Sequence, residues 1–139
     1  MNQNSFIMKN LRFLMLLLAL ITFSTSCSNS KMLIGNWKGT GNQIDGNKWL
    51  VDLKYSDKEN ISIDYPDLSC GGFWSILKED KKVIVFKEKI EYGVLYCDQG
   101  VEVIVNKIDK NTIQLNFYLR SYDPIKPIAD ATLYRSIKN

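Results

Sequence analysis

Glu88 is the position in this sequence that most invites chemistry. Ile84, Phe86 and Ile90 alternate onto its side of a strand-like run, while Val83, Val85, Lys87 and Lys89 take the other side. A carboxylate on an apolar, inward-facing row is costly unless it is paired or hydrogen-bonded. Two roles are open to it. It can hold the fold together through Arg135 or an inward tyrosine, or it can orient a ligand at the interior wall. Trp74 follows Gly71-Gly72, and Tyr65, Tyr92, Tyr96 and Tyr122 fall in segments that gather at the same end of the fold. Aromatic side chains collected there either stack on a sugar ring or anchor a partner protein, or they plug the mouth and finish the core. Trp74, Glu88, Tyr92, Tyr96 and Arg135 therefore form the candidate ligand-binding set.

Catalysis finds little support. The chain has no histidine, which removes the usual base of a serine or cysteine nucleophile and the imidazole ligands of zinc. Glycoside hydrolysis needs two carboxylates about 5–10 Å apart across a cleft. Glu88 and Glu91 point to opposite faces of their strand, and Asp67 and Asp98 become neighbours only through loop geometry. Asp45-Gly46-Asn47 reads as a turn rather than a calcium loop. Gly39, Gly41 and Gly46 lack the strand-to-helix setting of a phosphate loop. The expectation is a protein that is not an enzyme and needs no metal or cofactor.

The elements that must position these residues are strands. Trp49, Val51, Leu53 and Tyr55 alternate with Lys48, Asp52 and Lys54; Ile61, Ile63 and Tyr65 with Ser62 and Asp64; Ile113, Leu115, Phe117 and Leu119 with Thr112, Gln114, Asn116 and Tyr118. Period two over runs of this length marks half-buried antiparallel strands. Eight are predicted, over about 35–41, 48–55, 60–65, 71–79, 82–90, 101–108, 112–120 and 129–137. Their connections alternate between tight charged turns at 56–59, 80–81 and 109–111 and longer segments near 42–47, 66–70, 91–100 and 121–128. In an up-and-down meander the long segments share one end. That end receives both Cys70 and Cys97. Eight such strands close into an antiparallel up-and-down barrel, or stack as a two-sheet sandwich if closure fails. Lys38, Lys48, Asp52, Lys54, Asp64, Gln114, Asn116 and Asp130 fall on the outward set, where a membrane-spanning barrel would need an apolar belt.

The N-terminal segment is of another kind. Lys9 and Arg12 precede a run of 11 residues from Phe13 to Phe23, apolar but for Thr22, and Ser24-Thr25-Ser26-Cys27 follows. The order is that of a secretory signal, and the run is short of the roughly 20 apolar residues of a membrane-spanning helix. Small residues ending at a cysteine resemble a bacterial lipobox, with Ser24 where Leu is usual. The resemblance implies removal of residues 1–26, lipidation of Cys27 and a place in the cell envelope, the outer membrane before the inner; an ordinary secreted protein is the alternative. Residues 27–34 become anchor and short linker, and 35–139 the β domain. Without the signal, 16 Lys/Arg face 15 Asp/Glu, a charge of +1, which names no nucleic acid or other charged partner. Assigning Cys27 to lipid leaves Cys70 and Cys97 as an even pair in an oxidising compartment. A bridge between them would close a 28-residue loop and stabilise the fold by about 3–4 kcal/mol on the chain-entropy model.

Gly35-Asn36-Trp37 on the first strand and Arg135 on the last resemble the lipocalin-type arrangement, in which a Gly-x-Trp tryptophan packs under an arginine from the final strand and closes one end of the barrel. Both fall on the predicted inner face: Trp37 with Gly35 and Gly39, and Arg135 with Ala131, Leu133 and Ile137. Tyr65-Pro66-Asp67-Leu68-Ser69-Cys70-Gly71-Gly72, then Glu88 and Cys97, is similar to a segment of small secreted bacterial β domains of poorly defined role. Neither resemblance brings an activity. The expected function is a lipid-anchored binding module that takes a small apolar or sugar-like ligand at the wide end of the barrel. The alternative is an envelope inhibitor, immunity factor or assembly subunit that binds a protein with the same rim.

Overall fold

The computed structural model describes residues 29–137. The predicted signal segment and the lipidation site Cys27 lie outside them. Eight strands follow one another: β1 Gly35–Gln43, β2 Lys48–Tyr55, β3 Ile61–Tyr65, β4 Cys70–Glu79, β5 Val83–Tyr92, β6 Glu102–Lys107, β7 Thr112–Tyr118 and β8 Ala129–Ser136. Each pairs antiparallel with its sequence neighbours, and β1 also pairs with β8. The sheet is therefore a closed up-and-down barrel, and the sandwich alternative is excluded. Closure removes both free edges.

The alternation read from the sequence is the alternation seen. Val51, Leu53, Tyr55, Ile61, Ile63, Phe86, Val103, Val105, Ile113, Leu115 and Leu133 are buried in the barrel, and charged residues such as Lys38 and Asp52 pair across the outer wall at 2.7 Å. Inside, aromatic rings fill the space in two groups. Phe117 meets Trp49 and Tyr65 edge-on with centroids 6.2 and 6.4 Å away. Phe86 packs against Trp74 at 5.2 Å and Tyr55 at 6.4 Å. Edge-on and tilted contacts at these separations are the favoured aromatic arrangements.

Two β-bulges re-phase the wall. Gly71 faces Tyr92 but Gly72 faces Ile90, so Glu91 is an extra residue on β5; Ile76 faces Phe86 but Lys78 faces Val85, so Leu77 is an extra residue on β4. A bulge shifts the inward and outward phase of everything beyond it. Leu77 is exposed, and beyond it Glu79 pairs with Ile84 and accepts a bond from Ser30 N at 2.8 Å.

One end is closed. The 3₁₀ turn Asn29–Leu33 lies across it, with Ser30 and Leu33 buried; these residues, expected as linker, pack on the barrel. Trp37 Nε1 donates to Leu33 O at 2.7 Å. The Arg135 guanidinium stacks on the Trp37 ring at 4.2 Å and donates to the carbonyls of Met32, Ile34 and Lys110. Ile137, expected inward, is exposed. The long connections all lie at the other end, where Cys70 and Cys97 form a disulfide with Cα atoms 6.3 Å apart.

Candidate functional site

β3, β4 and β5 bring Tyr65, Trp74 and Glu88 together just below the open end. The positions follow from the strand periods: Glu88 pairs with Trp74 across β4 and β5, and both point inward. Tyr65 Oη donates to Glu88 Oε2 at 2.5 Å, and Trp74 Nε1 donates to the same oxygen at 2.8 Å. Glu88 is only 4% exposed. Of the two structural partners open to it, the inward tyrosine is the one it has; Arg135 is at the closed end. Burial pushes the Glu88 carboxyl above its ordinary range, the two hydrogen bonds act against that push, and the Asp98 charge adds to it. Burial, and then the neighbouring carboxylate, push the Tyr65 hydroxyl well up.

Above Glu88 the open end narrows to a recess of about 100 Å³. Trp49, Tyr65, Tyr96 and Phe117 supply aromatic walls, and Glu88 and Asp98 are its acidic groups. Among the described residues, no Lys or Arg lines it. The β5–β6 connection carries Tyr96 and Asp98, and the Cys70–Cys97 bridge between them ties that connection to the start of β4. Gly93, at φ +65°, turns the chain against Cys70 where a Cβ would have no room. Around the recess Ile44, Val94, Leu95, Tyr96, Tyr122 and Ile125 are exposed, Leu95 to 91% and Ile125 to 81%. Each sits on a long connection at the open end.

The five residues read from the sequence as ligand contacts divide. Glu88 and Tyr96 line the recess; Trp74 lies beneath it, buried and bonded to Glu88. Tyr92 is not at the mouth. β5 runs on through it, and the Glu91 bulge turns its side chain to the outer wall, where the hydroxyl bonds Asp64 Oδ1 and is pushed up to about 12 by that bond. Arg135 belongs to the closed end and meets no part of the recess. Asp67 does not face Asp98 as a pair; its carboxylate accepts Leu50 N at 3.0 and 3.1 Å and pins the β3–β4 connection to β2.

Trp49 and Phe117 are lining residues that the sequence reading placed only in the core. The signal for Trp49 is its register: it is the second residue of β2, opposite Gly41, and its indole covers the space a Cβ there would take. Among the described residues, no group of three or more His, Cys, Asp or Glu converges as a metal site would, and no helix is long and apolar enough to cross a membrane. Compared with protein-family models, curated proteins and solved structures, the chain matches none.

Proposed function

We propose that this is a non-catalytic, lipid-anchored binding module of the bacterial cell envelope that engages a protein partner with the open end of its barrel. The observation that carries the reading is the combination of a filled interior with an exposed apolar rim. A recess of about 100 Å³ is well below the roughly 300–1,000 Å³ of ordinary small-molecule sites. Six large apolar side chains stand exposed around it, on loops held by a rigid barrel, which is where binding residues concentrate. The anchoring reading fits the same geometry. Asn29–Leu33 packs on the closed end, so a lipid on Cys27 would hold that end to the membrane and leave the rim facing away.

The test uses the mature chain with Cys27→Ser, isolated gently from its host's envelope and weighed by native mass spectrometry. A bare protein two daltons lighter than the reduced chain is expected. A photo-crosslinker at Leu95 should then trap a defined partner in the intact envelope, while one at Lys54 on the outer wall should not. A co-purifying small molecule released on unfolding, or equal trapping from both positions, would overturn the protein-binding reading.

A further inference from the structure

We propose that the recess at the open end is a socket for one aliphatic ammonium group, the end of a lysine side chain presented by the partner. That the lysine belongs to a partner rests on the protein-binding reading above; the chemistry of the socket does not.

Glu88 does not need its charge to hold its two neighbours. Tyr65 and Trp74 require only an acceptor, and both land on Oε2. A glutamine carbonyl would satisfy them without the cost of burying a charge. The charge therefore has some other use. Oε1 takes neither bond, and Glu88 lines the recess. With Asp98 the lining carries two carboxylates and, among the described residues, no cation, an imbalance that a positive ligand removes.

The rest of the lining fixes the kind of cation. Walls of Trp49, Tyr65, Tyr96 and Phe117 suit a cation and the methylenes behind it, since aromatic rings attract ammonium groups and cover apolar stems. At about 100 Å³ the space is well below that of an ordinary small-molecule site and suits the tip of a side chain. Arginine fits less well. Its fork is satisfied by two carboxylate oxygens side by side, and one of Glu88's is already doubly occupied. An ammonium needs only one, and Oε1 takes neither of these two bonds. The exposed Leu95, Tyr122 and Ile125 then supply the dry surround that excludes water from a buried charge pair.

The test reads the three tryptophan indole N–H signals of the ¹⁵N-labelled mature chain carrying Cys27→Ser. Trp74 reports Glu88, Trp49 reports the wall, and Trp37, bonded to Leu33 at the closed end, is the internal control. Titration with n-butylammonium at pH 7 should move Trp74 and Trp49 saturably and leave Trp37 in place. Neutral n-butanol and n-butylguanidinium should each bind at least tenfold more weakly. Glu88→Gln should keep a folded spectrum and lose the ammonium response at least tenfold. Absence of a saturable shift, equal binding of butanol, or an undiminished response in the Gln variant would overturn the socket; guanidinium binding as tight as ammonium would overturn its assignment to lysine. If Glu88→Gln does not fold, Asp98→Asn, on the exposed loop, should weaken the ammonium response severalfold, and no change there counts against the socket. An amine response with no partner trapped from Leu95 would place a free amine in the socket and sink the protein-binding reading alone. A trapped partner with no amine response would sink the socket alone.

Discussion

Tyr65 and Glu88 meet inside the barrel at 2.5 Å, the hydroxyl donating to Oε2, although 23 residues separate them in sequence. Because Trp74 donates to the same oxygen, three strands are joined through one atom directly beneath the open end.

That arrangement makes replacements at position 88 separable. Glu88→Ala leaves two buried donors without an acceptor, at about 1–3 kcal/mol each, and should lower stability by about 2–6 kcal/mol. Glu88→Gln keeps an acceptor for both and should lose little or gain stability at neutral pH. Urea unfolding midpoints of the two variants distinguish these outcomes.

The pH dependence follows from the direction of the Glu88 shift. Burial raises its pKa in the fold, so between the ordinary carboxylate value and the raised one the folded chain holds more protons than the unfolded chain. Stability from this group is then highest at low pH and falls as pH rises through that window. Wild type should lose stability relative to Glu88→Gln as pH increases from mildly acidic to neutral. A difference that is flat in pH, or of opposite slope, would contradict the burial of an ionisable carboxyl.

Much of this is legible in the sequence. Period-two alternation located all eight strands, and the alternation of short and long connections put Cys70 and Cys97 at one end, where they bridge. The inward face of Glu88 was legible because the Ile84 to Ile90 row is unbroken. Tyr92 was not, because one extra residue at Glu91 reverses the phase, and a bulge leaves no mark in a hydrophobic pattern. The Asn29–Leu33 cap was also hidden, since a short turn with two buried residues looks like a linker in sequence. Whether aromatics plug or decorate the mouth was decided residue by residue: Trp49, Tyr65 and Trp74 fill the interior, while Tyr96 and Tyr122 stand out on the loops.

The disulfide should matter for more than stability. Reduction, or the double replacement Cys70→Ser with Cys97→Ser, should cost about 3–4 kcal/mol by the loop-entropy relation. It also frees the connection that carries Tyr96 and Asp98. Increased amide exchange should therefore appear in residues 93–100 well before global unfolding, with the amine response reduced. Protection there unchanged from the oxidised protein would show that the bridge does not hold the recess.

At Gly72 the constraint is backbone proximity. A Cβ at that position would run into the Lys89 carbonyl and the Glu91 amide across the bulge. Gly72→Ala should destabilise by about 1–3 kcal/mol, the usual range for overpacking, and should shift the indole signal of Trp74, two residues along. Gly46→Ala, where the loop is open, serves as the comparison and should leave Trp74 unmoved.

The closed end should be energetically important yet silent in binding. Arg135 stacks on Trp37 and donates to three backbone carbonyls, so Arg135→Ala gives up a cation–π contact and orphans part of the N-terminal cap. A loss of about 1–3 kcal/mol is expected from such a set, and Arg135→Lys should recover only part of it because an ammonium cannot reproduce the fork. Trp37 should shift in both variants while Trp49 and Trp74 respond to butylammonium as in wild type. If Arg135→Ala abolished that response in a folded protein, the two ends of the barrel would be coupled, and the recess would no longer stand as a self-contained site.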